Sequence, residues 1–344
     1  MSSLPYLSIV RDVAKVGMVL TLITNSSLIY ITIYHIKNIK GPYKSLVLLL
    51  AALGMVFAVM EIFIQPFMHS FNASFVFFSI APIFGAPKAV RAGLVLFYSQ
   101  VYLLIICVIA LQFVYRYFII TNSKFIGFFT GWRVFWWILY LLVCTVVWAC
   151  SACLCLPDTF AISYLKEELM TQYGENSTEV PGFFIVAYEH LGSKRTFRVN
   201  SIICIFGLSS TLITQYIIII FCGFKIHLKI RDTMEATSCK KYRIQSQLFK
   251  TLVLQITAPS LFYHVPALLM YFIPYFDLEI SVPSGVMVCF FSVYPAIDTV
   301  ILVWMVTEYQ VVIGNMIENR LVAVLEWLRS LTLGIAEDQP TGTA

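Results

Sequence analysis

Three ionisable side chains stand inside long apolar runs, where a charge is costly and marks a candidate functional position. Glu61 lies near the end of the second run, Asp298 in the last run, and His264 in the run before it. Such an acid can bind a cationic ligand or hydrogen-bond a neighbouring helix, although Glu61 can equally lie solvated at a membrane boundary. A lone histidine is more often a packing contact than a ligand-binding group, so both interpretations of His264 stay open.

Prolines accompany two of these groups. His264 lies between Pro259 and Pro266, and Asp298 follows Pro295 by three residues. Because proline lacks a backbone donor, it loosens a helix at that turn. The sequence therefore predicts a bent sixth helix and a switch element at Pro295 and Asp298.

Motifs for enzymatic chemistry are missing from the sequence. There is no nucleophile elbow, phosphate-binding glycine loop, HExxH or pair of acids at intramembrane-protease spacing. Cys150, Cys153 and Cys155 are close together, but no His, Asp or further Cys lies at zinc-finger spacing from them. We therefore expect a protein that is not an enzyme and that uses neither a metal nor another cofactor.

The composition indicates the environment in which Glu61, His264 and Asp298 lie. Of the 344 residues, 60% are hydrophobic, 15% are aromatic and only 12% are charged, whereas a soluble domain has about 25% charged residues. Too few polar residues are present to cover a soluble surface of this size. The composition argues against soluble enzymes and nucleic-acid-binding proteins, and it requires apolar residues that face lipid.

Seven apolar segments are each long enough for a transmembrane helix, which needs about 20 mostly apolar residues. They cover residues 16–34, 46–66, 92–115, 134–156, 199–224, 248–273 and 284–307. The sequence thus predicts an all-α, seven-transmembrane helix bundle over residues 1–310. Residues 311–344 are predicted to form a cytoplasmic amphipathic helix along the inner membrane face, followed by a disordered tail.

Loop charges and sequons orient the bundle with its N-terminus outside. Lys and Arg are concentrated in the loops that this topology places inside, above all in loop 225–247. Asn72 and Asn176 begin sequons in loops placed outside and are predicted glycosylation sites. Asn25 begins a sequon within the first span, where we interpret it as a polar helix contact. The long outer loop 157–198 is predicted to be a solvated lid, and a ligand-selecting role is left open.

An ordered set of short motifs at the helix ends carries a family likeness. The motifs are Gly41-Pro42-Tyr43-Lys44, Arg116-Tyr117, Gln247-Leu248-Phe249-Lys250, Tyr294-Pro295-Ala296-Ile297-Asp298 and Glu308-Tyr309. Over residues 10–320 the chain resembles the nematode seven-transmembrane serpentine chemoreceptors, most closely the Str group and its Srj-like relatives. The chain departs from the family pattern at Thr299, where members usually have Pro, and at Gln310, where they often have Arg.

The resemblance implies a G-protein-coupled receptor of chemosensory neurons that detects an odorant or a soluble cue. It implies a heterotrimeric G protein α subunit as the intracellular partner. It also implies a multi-pass protein of the plasma membrane, located in the sensory-neuron cilium.

Candidate ligand contacts follow from side-chain type and depth, because pockets between helices are mostly apolar with a few polar groups. In the outer half of the bundle these candidates are Tyr98, Tyr102, Ser209, Tyr263, His264, Phe291 and Tyr294. Motion of the sixth helix would open an inner cleft for the α subunit. The candidates for that coupling surface are Arg116, Tyr117, Lys241, Arg243 and Lys250. For Arg116, the alternative is a residue that snorkels to the membrane interface.

Other functional classes stay open at this point. A ligand-gated cation channel needs a polar-lined pore, and a transporter often has related halves; the sequence shows neither feature. The basic loop 225–247 fits partner docking and equally fits retention inside with contact to anionic lipid. The sequence does not identify the ligand, the G-protein class, or whether the chain forms homo- or hetero-oligomers.

Overall fold

The computed structural model describes residues 4–36, 41–82, 85–191, 194–236, 240–276, 278, 280–283 and 285–337. Its helices are α1 (Leu4–Tyr34), α2 (Pro42–Ile64), α3 (Lys88–Ile120), α4 (Phe135–Cys153), α5 (Thr159–Tyr173), α6 (Val199–Ala236), α7 (Lys240–Pro259), α8 (Val265–Phe272), α9 (Gly285–Met305) and α10 (Thr307–Glu337). The strands are β1 (Pro66–Phe71), β2 (Ser74–Ser79), β3 (Gly182–Val186), β4 (Tyr188–Leu191), β5 (Lys194–Phe197) and β6 (Ser281–Pro283).

Six of the described helices are long and apolar enough to cross a membrane, and they match every predicted span except the sixth. The sixth span is a continuous helical path made of α7, a π-helical turn over Ser260–His264, and α8. Pro259 and Pro266 flank this turn, and because neither has a backbone N–H, the regular α-helical hydrogen bonds are interrupted between them. The sequence predicted a bent sixth helix; the structure shows a π turn between the two prolines, and the bend itself stays a prediction.

The main feature that the sequence did not predict is a four-stranded sheet at one end of the bundle, hereafter the sheet end. Its order is β3-β2-β1-β6, and every neighbouring pair is antiparallel. The hairpin turn between β1 and β2 has Asn72 at a φ of 47°. Strands β4 and β5 form a separate hairpin. The predicted helix bundle is confirmed, and this sheet is an addition to it.

Both faces of the sheet are buried. Along β2, Phe75 and Phe77 belong to the core of the bundle, whereas Val76 and Phe78 belong to a second core that includes α5. Side chains alternate between the faces of a strand, so each face contributes to a different core. Segment 157–198 is therefore not a simple solvated lid, because α5 and β3 form part of a packed two-layer cap.

Small residues allow α1, α2 and α9 to pack closely. A Cβ atom on Gly17 would lie 2.3 Å from the carbonyl oxygen of Ser292. A Cβ atom on Gly54 would lie 2.9 Å from Nδ2 of Asn25 and 3.1 Å from Cβ of Pro295. A larger residue at Gly17 would separate α1 from α9, and one at Gly54 would separate α2, which carries Glu61, from α1 and α9.

Helix α10 extends from the end of the bundle opposite the sheet. Tyr309, near its start, is buried, and its hydroxyl lies 2.9 Å from Oγ1 of Thr32 on α1. Farther along, Ile317, Leu321 and Leu325 are exposed apolar side chains, as expected of a helix that lies on a lipid surface. The predicted amphipathic helix is thus present. Of the predicted tail, 337–344, residues 338–344 lie outside the described residues.

Candidate functional site

A cavity of about 180 Å³ lies within the bundle between α2, α3, the sixth helix and α9. One wall is a face of α3, where Tyr102, Ile105, Ile106 and Ile109 follow helical spacing. The other described lining residues are Phe57, Ala258, Pro259, His264, Phe290, Phe291, Tyr294 and Ile297. The cavity is therefore mainly aliphatic and aromatic, with three polar side chains.

Four of the side chains proposed as ligand contacts line this cavity, namely Tyr102, His264, Phe291 and Tyr294. Tyr98 instead lines a neighbouring pocket of about 10 Å³, which shares Tyr102 and Phe291 with the cavity. Ser209 is buried on α6 and lines neither space. The side chain of Tyr263 lies outside what the structure describes.

Sequence reasoning missed the aliphatic part of the lining. Ile105, Ile106 and Ile109 are ordinary core residues by type, and their spacing from Tyr102 was the signal that could have identified them. Phe290 and Ile297 are seven residues apart in sequence, so they lie on the same face of α9. No residue type distinguishes a cavity wall from a packed core, because both are apolar.

His264 is held in place by α6. The Tyr216 hydroxyl hydrogen-bonds Nδ1 of His264 and lies 2.7 Å from Oγ of Ser260. The rings of Tyr102 and His264 are 5.5 Å apart. Since Ser260 and His264 both belong to the π turn, these contacts connect α3, α6 and the irregular part of the sixth helix.

Asp298 lies beside the cavity, one side chain away from it. Its carboxylate is buried and accepts a 3.4 Å hydrogen bond from the hydroxyl of Tyr294, which lines the cavity. Nε2 of Gln255 on α7 donates to the backbone carbonyl of Asp298 at 3.4 Å. The backbone of Asp298 therefore connects α9 with the sixth helix, and its role as a switch element stays a prediction.

Asn25 and Thr299 connect α1 to α2 and α9. Nδ2 of Asn25 donates to the carbonyl oxygen of Ala51 at 3.0 Å, and Thr299 donates its hydroxyl to Oδ1 of Asn25. Asn25 is buried, so its interpretation as a polar helix contact is confirmed. Thr299, a departure from the family pattern in the sequence analysis, thus has a defined hydrogen-bonding role here.

Glu61 is only 2% exposed, so a solvated position at the membrane boundary is wrong. Its carboxylate accepts a 2.5 Å hydrogen bond from Oγ of Ser292. It lines a separate space of about 40 Å³ beside α1, whose other lining residues include Arg11 and Lys15. Glu61 therefore fixes α2 to α9 and does not line the main cavity.

The predicted coupling residues lie at the end of the bundle opposite the sheet. Arg116 is 2% exposed, and its guanidinium carbon lies 3.7 Å from the centroid of the Tyr43 ring, so it does not snorkel to an interface. Tyr117 is half-buried against Phe221, and Lys250 is exposed. The side chains of Lys241 and Arg243 lie outside what the structure describes.

The two outer sequons lie at the sheet end. Asn72 occupies the turn between β1 and β2, and Asn176 follows α5. Asn72 is half-buried and Asn176 is exposed. Their glycosylation stays a prediction.

The six spanning helices and the sixth helical path together form a seven-helix transmembrane bundle around an apolar cavity. The fold matches the crystal structure of squid rhodopsin with a TM-score of 0.57, covering 94% of this chain and 88% of that one. The sequence identity is 15%, so this likeness concerns the fold alone.

The sequence identifies the family. The model of the serpentine type 7TM GPCR chemoreceptor Str family matches residues 10–314, and the chain belongs to this family. It is 36% identical to G-protein coupled receptor str-33 of Caenorhabditis elegans over 89% of this chain and 90% of that protein. It is 24% identical to serpentine receptor class r-10 of the same nematode over 99% and 100% of the two chains. The protein is therefore a multi-pass membrane receptor of the serpentine chemoreceptor type, as the motif set predicted.

Proposed function

We propose that this receptor binds a small odorant or soluble cue in the bundle cavity and signals to a heterotrimeric G protein. The observation that carries the proposal is the position of the cavity against the π turn, since Pro259 precedes that turn, His264 ends it, and both line the cavity. The proposed location is the plasma membrane of a sensory-neuron cilium, and membrane lipid surrounds the spans.

A ligand shifts a receptor toward its active form only if it binds that form more tightly. The cavity has walls on α3 and α9 and a third wall on the sixth helix, so a movement of the sixth helix changes the contacts of any occupant. π turns are frequent at functional sites because they interrupt the regular helix. Ligand contact at His264 would therefore favour one position of α7 and α8 over another.

Displacement of α7 would open the coupling end. Phe249 on α7 packs edge-to-face on Phe113 of α3, with ring centroids 6.4 Å apart. Nε2 of Gln247 donates to Oγ1 of Thr307 at the start of α10, at 2.8 Å. Loss of these contacts would separate α7 from α3 and from α10.

The resulting cleft would lie beside Arg116, which follows Phe113 by one helical turn. Tyr117 and Lys250 would line it, and Lys241 and Arg243 would add positive charge from the start of α7. A helix of the G protein α subunit could bind such a groove through its apolar face. In the described conformation this cleft is closed, because Arg116 is buried.

The test is a ligand screen in cells that express the receptor, with a G-protein readout, repeated with the G proteins blocked. The proposal expects a response that the block removes. Ile109→Phe, which fills the cavity, should reduce the response at least about tenfold at an unchanged amount of surface protein. Ile138→Phe on the exposed face of α4 is the matched control and should leave it unchanged.

Other outcomes would identify the alternative classes. An ionic current that survives the block would favour a ligand-gated cation channel. Accumulation of the ligand inside the cells would favour a transporter.

A further inference from the structure

The cavity can accept only a narrow class of ligand. Among its described lining residues there is no Asp, Glu, Lys or Arg, so a charged ligand would lose its hydration without gaining a counter-charge. The hydroxyl of Tyr294 already donates toward the Gln255 carbonyl and the Asp298 carboxylate. Tyr102 and His264 are the other polar lining groups, so most of the lining is apolar, which suits a neutral and mainly apolar ligand.

The size of the cavity also limits the ligand. An apolar cavity of about 150 Å³ in another protein stays dry and binds benzene. The present cavity of about 180 Å³ is slightly larger and has the same chemical character. It should therefore hold a compact molecule of about six to nine non-hydrogen atoms.

Among the described residues, packed side chains cover the cavity on the side of the sheet end. Phe77 of β2 stacks on Tyr98 with centroids 6.3 Å apart, and Phe75 contacts Tyr271 edge-to-face at 4.9 Å. On the other face of the strand, Phe78 is fully buried beneath α5, in the core that contains Leu165. A ligand from water would have to cross both layers of this cap.

The lateral wall of the cavity is much thinner. Phe290 and Ile297 on α9 line the cavity, and each is 42% exposed on the outside of the bundle. Since α9 is long and apolar enough to span a membrane, the exposed parts of these two side chains would face lipid.

The helix that packs against this wall is irregular at the same level. The N–H of Val265 bonds the carbonyl oxygen of Ser260, five residues earlier, and Leu261 in the same turn is 63% exposed. A π turn is wider than an α-helical turn and interrupts its regular hydrogen bonds. A transient opening at this part of the lateral wall would therefore break fewer regular α-helical hydrogen bonds than an opening elsewhere in the wall.

We propose that the ligand is a neutral, compact, apolar molecule that reaches the cavity from the bilayer, between α9 and the π turn, past Phe290 and Ile297. This inference rests on the proposed function, because it concerns the same cavity. It adds the chemical class of the ligand and the route by which the ligand arrives.

The ligand class can be tested by ¹⁹F NMR on the full-length receptor in lipid nanodiscs without G protein, with fluorobenzene as the probe. We expect a saturable bound resonance, and we expect 4-fluorobenzoate, the charged analogue, to give none. Ile106→Phe, which fills the cavity, should weaken fluorobenzene binding at least about tenfold. Ala258→Leu fills the same cavity from the sixth helix, and it replaces Ile106→Phe as the test variant if Ile106→Phe does not fold.

The route can be tested by the exchange rate of bound fluorobenzene. Ile297→Trp places a larger side chain in the lateral wall and should slow exchange by about tenfold. Val300→Trp on the same helix is the matched control, because Val300 is 55% exposed and does not line the cavity. Its exchange rate should equal that of the unmodified receptor.

Each contrary result overturns a defined part of the proposal. No saturable binding, or unchanged binding in the filling variants, means that the cavity is not the site. Equal binding of 4-fluorobenzoate means that the ligand class is wrong. Unchanged exchange in Ile297→Trp means that the lateral route is wrong. Because no G protein is present, binding without any cellular signalling would count against the proposed function alone.

Discussion

The two ends of the bundle are built differently. At the sheet end, aromatic and aliphatic side chains fill two layers. The Ser79 hydroxyl donates to the Ile64 carbonyl at the end of α2, and the Ser74 hydroxyl donates to the Phe71 carbonyl. At the opposite end, Lys250 is exposed, and Arg116 is buried against an aromatic ring. The sheet end is thus closed by two packed layers of the described residues, whereas the opposite end is the one to which the proposed function assigns the contact with a partner.

The sheet end also contains a buried polar cluster. Nε2 of His69 on β1 lies 3.0 Å from Oε1 of Glu168 on α5, and its Nδ1 lies 3.1 Å from the Tyr173 hydroxyl. Ser281 of β6 donates to the same Glu168 oxygen at 2.7 Å. The cluster therefore joins both layers of the cap and its edge strand.

The largest expected effect tests whether the sheet end is rigid. A Cβ atom on Gly182 of β3 would lie 2.1 Å from the carbonyl oxygen of Phe77, so Gly182→Ala must displace a strand. We expect a loss of about 3 kcal/mol or more in stability, measured by thermal unfolding of the purified receptor. Gly314→Ala on α10 meets nothing within 4 Å and should be neutral or stabilising by up to about 1 kcal/mol. Equal effects of the two variants would contradict the contrast between the ends.

The next effect tests the coupling end. Arg116→Ala should reduce ligand-evoked G-protein signalling by about tenfold or more, because it removes both the guanidinium group and its contact with Tyr43. Lys250→Ala should reduce it less, since an exposed charge contributes little. Lys15→Ala, an exposed cation at the sheet end, is the control. Unchanged signalling in Arg116→Ala and Lys250→Ala at equal surface expression would remove both residues from the coupling surface.

A smaller effect concerns pH at the sheet end. Burial lowers the pKa of His69, and the nearby Glu168 charge opposes this shift only in part. The unfolded chain then binds a proton more readily than the folded one. Stability should therefore fall as pH drops below about 6.5, by at most about 1.4 kcal/mol per pH unit.

The readout is the midpoint of thermal unfolding between pH 7.5 and pH 5.5. His69→Gln should make this dependence shallower, whereas His227→Gln, an exposed change near the opposite end, should leave it as steep as before. If the unfolding midpoint of His69→Gln depends on pH as steeply as that of the unmodified receptor, groups other than His69 cause the dependence.

The smallest effect concerns the contact between α1 and α9. Thr299→Val removes the hydroxyl that donates to Asn25, and it should cost about 1 kcal/mol. Thr257→Val is the matched control, because the exposed Thr257 hydroxyl bonds only the Val253 carbonyl in its own helix. If both changes lower the unfolding temperature equally, the hydrogen bond between Thr299 and Asn25 adds no more stability than a bond within one helix.

The sequence predicted the spans well and the cap poorly, for a physical reason. A membrane span needs one long apolar run, so hydropathy alone locates α3 or α9. Strands β2 and β3 are short, and because both of their faces are buried they lack the alternation of apolar and polar residues that indicates a strand. Phe183 and Phe184, for example, contribute to different cores although they are adjacent in the sequence.

The candidate site was predicted in part. Tyr102, His264, Phe291 and Tyr294 are polar or aromatic residues at suitable depth, and the structure places them around one cavity. Glu61, which has the same intramembrane depth and a stronger chemical signal, lies elsewhere because Ser292 holds it between α2 and α9. Side-chain type and depth do not specify the rotation of a helix about its axis, which decides what faces the cavity.

By itself, the sequence determined that the protein spans a membrane, which segments cross it, and which receptor family it belongs to. These properties depend on composition, run length and local motifs. Only the tertiary structure decided that the sheet end is closed, that Arg116 is buried, and that Phe290 and Ile297 form a thin lateral wall. Those features depend on which helix faces meet, and that is settled by packing between residues far apart in the chain.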